Sequence, residues 1–142
     1  MYFSAFLRPL ILLSVLAAAA ATDTARRKVY NILILAGFAG EAVMYLYEPP
    51  AVESKALVYL ALFIAMLIAF FCLKMLGAAD VKLYMLIAFA YPNAAGLKCA
   101  AISIVLSAAF ICTASILRHQ MPKSIPMGIF IFAGTLLTLL KG

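Results

Sequence analysis

A chain of 142 residues that is 68% hydrophobic and 11% charged, with a mean hydropathy of +1.17, excludes a soluble globular domain, whose apolar share is about half. A soluble fold of this size would expose broad apolar patches, and no polar stretch is long enough for a second domain, so one transmembrane domain over residues 1–142 is expected. The net charge of +6 does not point to nucleic acid, because the basic residues are scattered over the connections between apolar runs, where they set topology.

An apolar run needs about twenty residues to cross hydrocarbon as a helix. Six crossings are predicted, roughly 3–21, 30–47, 56–75, 80–95, 98–117 and 125–141, making the fold an all-α integral membrane bundle of six transmembrane helices. The first run, followed by Thr22-Asp23-Thr24-Ala25, resembles a secretory signal with a small-residue cleavage site. Its strong basic cluster, Arg26-Arg27-Lys28, comes after the run rather than before it, so a retained first helix is expected. The second run carries Glu41 near its outer end, where a snorkelling or structural role is expected. The fourth is the weakest: only Val81 to Tyr91 lies between Asp80 and Pro92, about 17 Å of helix against a core of about 30 Å. Either that helix runs on past Asn93 toward Gly96, or Gly77 to Asp80 dips below the membrane surface, covered by protein or water. Pro126 opens the last run, where its missing N–H costs nothing.

Connections one, three and five hold Arg26, Arg27, Lys28, Lys74, Lys82, Arg118 and Lys123; the other side holds Arg8, Lys55, Lys98 and Lys141. This bias of seven against four puts connections one, three and five in the cytosol and the N-terminus outside. Cys72, Cys99 and Cys112 all lie in or beside apolar runs without a C-x-x-C pair, so buried packing is expected rather than a metal site. His119, alone in a basic connection, is expected to be solvated, and Gly37, Gly40, Gly128 and Gly134 to permit close helix contact.

Two aspartates stand out, because a carboxylate beside hydrocarbon is costly and marks a candidate site. Asp23 and Asp80 each sit at the end of an apolar run, and both fall on the same expected face. Each has an ordinary alternative. Asp23 fits an interfacial acid paired with Arg26 or Arg27 three and four positions on, and Asp80 fits the N-cap of the helix it precedes. Lys82, two positions beyond Asp80, is turned away from it on a helix and is expected to meet a lipid headgroup or, as the second choice, to contribute to the local field.

The motifs together resemble the prepilin peptidases, membrane aspartic proteases with a Gly-x-Gly-Asp motif. Asp23 through Asn31 has the layout of their first motif, with Val29-Tyr30-Asn31 where the family commonly has Ile-Pro-Asn. Gly77-Ala78-Ala79-Asp80-Val81-Lys82-Leu83 resembles their second, and Ile125-Pro126-Met127-Gly128 their Ile-Pro-aromatic-Gly element. Two departures are visible: Ala79 replaces a glycine that could take positive φ, and Tyr30 replaces a proline helix starter. The resemblance implies a catalytic pair, Asp23 and Asp80, supported by Gly77, Ala79, Lys82, Asn31, Pro126 and Gly128, with no cofactor and no metal. It implies prepilin or pseudopilin substrates with a basic leader and a hydrophobic helix, cut after a glycine at the cytosolic face of a prokaryotic inner membrane. It further implies the small form associated with Tad/Flp-type pili, a peptidase without N-methyltransferase activity. The lipid bilayer is the other partner; oligomeric state and the identity of the base are not assigned. Two rivals remain: a small ion-coupled transporter or channel subunit, which would place its acids near the midplane, and a non-catalytic assembly scaffold, which Ala79 keeps open.

Overall fold

A computed structural model describes residues 2–50, 52–74, 76–118 and 125–141, with side chains from residue 6 onward. It contains six helices: α1 (Tyr2–Arg26), α2 (Asn31–Tyr47), α3 (Ala56–Cys72), α4 (Ala78–Ala90), α5 (Ala94–Arg118) and α6 (Met127–Lys141). All-helical folding follows from the composition, since a helix satisfies its own backbone within one segment when the surroundings offer no hydrogen bonds. The expectation for His119 lies outside the described residues.

The bundle is apolar on its outside. Leu46, Leu57 and Ile116 are 87%, 78% and 73% exposed, whereas Glu41, Ser103 and Thr135 are fully buried. Large apolar side chains outward and polar ones inward is the distribution hydrocarbon favours. Two helices, over Phe6–Arg26 and Ala94–Arg118, are long and apolar enough to cross a membrane; α2, α3 and α6 are shorter apolar helices. The apolar exterior and these two helices suit a membrane environment.

The short fourth run has a physical explanation. α4 packs against every other helix and buries Leu83, Tyr84, Leu86, Ile87, Ala88 and Ala90. Because it contacts all five other helices, its roughly 20 Å of length need not match a bilayer. It neither starts at Asp80 nor continues past Asn93: Gly77 is its extended N-cap, and Tyr91, ahead of Pro92, is its C-cap. A proline disfavours helix in the residue before it.

Gly134 and Gly128 each bring α6 close to the backbone of a neighbouring helix, and Gly37 and Gly40 of α2 lie as close to side chains of α4 and α1. A Cβ on Gly134 of α6 would lie within 2.7 Å of the Ser103 backbone of α5, and one on Gly128 would lie 3.2 Å from Ala20 Cα of α1. Between α4 and α5, Tyr84 donates to Ser103 Oγ at 2.6 Å, and Ser103 passes its own proton to the Ala100 carbonyl at 2.8 Å. That chain satisfies two hydroxyls that would be costly left unpaired in a dry interior. The thiols divide: Cys99 is buried, but Cys72 and Cys112 lie on the outer surface. This corrects the expectation of buried packing for all three, since a thiol is apolar enough to face lipid.

Candidate active site

Asp23 is carried by the last turn of α1, which runs five residues beyond the predicted end of the first apolar run. The helix stops at Arg27, a non-glycine residue at φ 53° whose N–H donates to the Asp23 carbonyl at 2.9 Å. A left-handed residue closing a helix in this way turns the chain sharply. The turn brings Val29, Tyr30 and Asn31 back beside Asp23 and starts α2 there.

Asp80 stands in the first turn of α4, three residues after its N-cap. Its Oδ2 accepts from the Gly77 N–H at 3.1 Å, one of the donors a helix start leaves without a partner. So Asp80 does secure a helix start, but from inside the helix rather than as the cap itself. Ala79 is helical, and no glycine in the described chain takes a positive φ. The glycine that Ala79 replaces is therefore not needed here for backbone freedom, and alanine favours the helix.

Asp23 and Asp80 line one open cavity of about 510 Å³, with Arg27, Tyr30, Asn31 and Gly77 on its walls. Asp23 Oδ2 accepts from the Gly128 N–H of α6 at 3.0 Å. Asp80 thus bonds an N–H at the start of its own helix, and Asp23, carried by the end of α1, bonds one at the start of α6. Among the described residues neither is ion-paired and no hydrogen bond engages Oδ1 of either, so one oxygen of each is anchored and the other is available. The pairing of Asp23 with Arg26 is not formed; Arg26 donates to the Tyr30 hydroxyl at 3.0 Å instead.

Lys82 donates to Asn31 Oδ1 at 2.9 Å, a correction to the expected headgroup contact. Lys82 is on the exposed face of α4, where the start of α2 brings the Asn31 amide within reach. Gly77 also lies close to the acid: a Cβ there would sit 3.2 Å from Asp80 Oδ2, so a larger residue would press on the carboxylate. Pro126 immediately precedes α6, whose second residue, Gly128, touches Asp23.

Glu41 does not snorkel. Its side chain is fully buried, 3.7 Å from Arg8 Nε, with both oxygens lacking a hydrogen bond. Arg8 also donates to the Glu48 carbonyl at 2.6 Å and lies over the Tyr45 ring, clamping α1 to the end of α2 far from the cavity. The pairing went unread in the sequence, although its signal was there: one opposite charge in each of two otherwise nearly uncharged runs.

An apolar helical bundle with a polar, two-acid cavity at one end defines a membrane protein with a built site. The model of the type IV leader peptidase family matches residues 10–117, and the chain belongs to that family. Membership carries protease activity of the leader-peptidase kind. No curated protein and no solved structure matches the chain.

Proposed function

We propose that this protein is an aspartic endopeptidase that removes the basic leader from prepilin-like substrates at the cytosolic face of a prokaryotic inner membrane, cutting after a glycine. The observation that carries this reading is the convergence of Asp23 and Asp80 on one cavity. The 142 residues act as one unit of six crossings with the N-terminus outside, and the connections around Arg27 and Gly77 face the cytosol, where the leader is held. The orientation is strengthened by the clamp: Arg8, paired inside the bundle with Glu41, ceases to be a loop charge on the opposite side.

The mechanism requires one proton on the pair. The ionised carboxylate takes a proton from a water held between the acids as its oxygen attacks the scissile carbonyl. The protonated carboxylate hydrogen-bonds the carbonyl oxygen and stabilises the charge that develops there. Collapse of the tetrahedral adduct breaks the C–N bond. The leaving nitrogen takes up a proton from the pair, giving a leader carboxylate and a new substrate N-terminus. Either acid is placed to act as base, since both line the cavity.

Co-expression with a prepilin from the same genome, followed by gel shift, tests this. Wild type should remove the leader, and Asp23→Asn and Asp80→Asn should insert into the membrane without cleaving. Full processing by either variant would overturn the assignment of the pair.

A further inference from the structure

Three helices meet at Ser103 of α5. Tyr84 of α4 and Ser103 are both fully buried, and the Tyr84 hydroxyl donates to Ser103 Oγ at 2.6 Å. From the other side comes the α6 backbone at Gly134, so near that a Cβ there would lie 2.7 Å from Ser103 N and 2.8 Å from its Cα. One neighbour is therefore held by a hydrogen bond and the other by a backbone with no side chain between.

Each arm of this junction leads to one acid. Tyr84 follows Asp80 by four residues and shares its face of α4, about 6 Å further along the axis. Gly134 follows Gly128 on α6 by about 9 Å of helix rise, and the Gly128 N–H holds Asp23 Oδ2 at 3.0 Å. Because α6 packs against α1 as well as α5, a shift of α6 on Ser103 is carried to Gly128 and so to Asp23.

Packing alone does not call for these hydroxyls. Ser103 places its own proton on the Ala100 carbonyl at 2.8 Å, and exchanging two bonded partners for apolar groups of the same shape is close to neutral in stability. What differs is length. The bond holds two heavy atoms at 2.6 Å, whereas carbon atoms rest about 3.5–4.0 Å apart. The pair thus supplies a short, fixed spacing of α4 on α5.

We propose that Tyr84 and Ser103 are positioning residues of the peptidase: their hydrogen bond sets the spacing of α4 from the packed α5 and α6, and with it the separation of Asp80 from Asp23. This rests on the peptidase reading above and extends it to two residues that do not line the cavity.

Tyr84→Phe keeps the ring and leaves Ser103 its Ala100 acceptor, and Tyr84→Phe/Ser103→Ala leaves no hydroxyl of the pair behind. Ser107→Ala is the control, because Ser107 is a buried hydroxyl one turn further along α5 that bonds the Ile104 carbonyl of its own helix at 2.8 Å. The full-length protein in detergent is assayed on a cognate prepilin for kcat per folded molecule, KM and pH profile. Tyr84→Phe and the double variant are expected to keep KM and to lose about tenfold in kcat, since displaced reacting groups lose rate steeply. Their pH–rate bell should narrow, because carboxylates held further apart interact less and their two apparent pKa values draw together. Arg27, Lys28 and Tyr30, the other titratable groups on the cavity wall, are the same in every variant. Ser107→Ala should change none of these quantities. A wild-type kcat in the double variant, a loss of rate at unchanged bell width, or an equal loss in Ser107→Ala overturns the positioning role while the peptidase stands. Failure of the wild type to cleave overturns the peptidase reading, and the positioning role falls with it.

Discussion

The backbone N–H of Gly128 holds Asp23 Oδ2 at 3.0 Å across 105 positions of sequence, so α6 fixes the orientation of an acid carried by α1. The matched family region ends at residue 117, before α6 begins, yet α6 completes the site.

Gly128→Ala tests that relationship. The added Cβ would stand 3.2 Å from Asp23 Oδ2 and 3.2 Å from Ala20 Cα, so α6 must withdraw or the carboxylate must turn. A misplacement of about 1 Å costs on the order of 100-fold in a positioned reaction. The shift needed here is a few tenths of an ångström, so cleavage of the prepilin should fall by less than that, about tenfold, with membrane insertion retained; a wild-type rate would show that Asp23 does not depend on α6.

The pH dependence should be bell-shaped. At low pH both acids of the pair are protonated and no base remains; at high pH both are ionised and no acid remains. Cleavage rate against pH for the purified enzyme in detergent should therefore fall on both sides of an optimum. A rate that rises to a plateau with pH would contradict a shared proton.

Lys82 and Asn31 should behave as one unit. Lys82→Met and Asn31→Ala each remove the same 2.9 Å bond between α4 and α2. Each is expected to slow cleavage by about tenfold, the equivalent of about 1.4 kcal/mol. The double variant should be no slower than either single one, because the interaction can be lost only once. Additive losses in the kinetic cycle would mean that the two side chains act separately.

The buried pair at the far end should govern stability. Glu41 is fully buried and Arg8 nearly so, and removing one member leaves the other charge uncompensated, which typically costs about 3 kcal/mol or more. Glu41→Leu and Arg8→Met should each lower the unfolding midpoint in detergent. The combination should recover most of the loss, with cleavage per folded molecule preserved throughout. Single variants as stable as wild type would show that the pair carries no net energy.

Much of this protein is legible along the chain. The six helices stand where the apolar runs stand, because in hydrocarbon a run of apolar residues has few alternatives to helix. The acids could be singled out because a carboxylate is so costly beside lipid that its presence needs a reason. What misled was local. Lys82 read as a headgroup contact because a single run does not show the Asn31 amide from another helix. Glu41 read as either a snorkelling or a structural acid because its run does not show the Arg8 guanidinium buried opposite, which selects the structural role. The fourth run read as a deficient span because its length was compared with a bilayer, whereas its neighbours are five helices.

Composition and order alone therefore determined that the chain is a helical membrane protein with two isolated acids near one end of the bundle. Only the tertiary structure decided that α4 lies at the centre, that Gly128 of α6 holds Asp23, and that the two acids face one cavity. The reason is physical: hydrophobicity and backbone hydrogen bonding act within a segment and are written in it. Which helix approaches which depends on contacts such as Gly134 on Ser103, made between residues far apart in the chain.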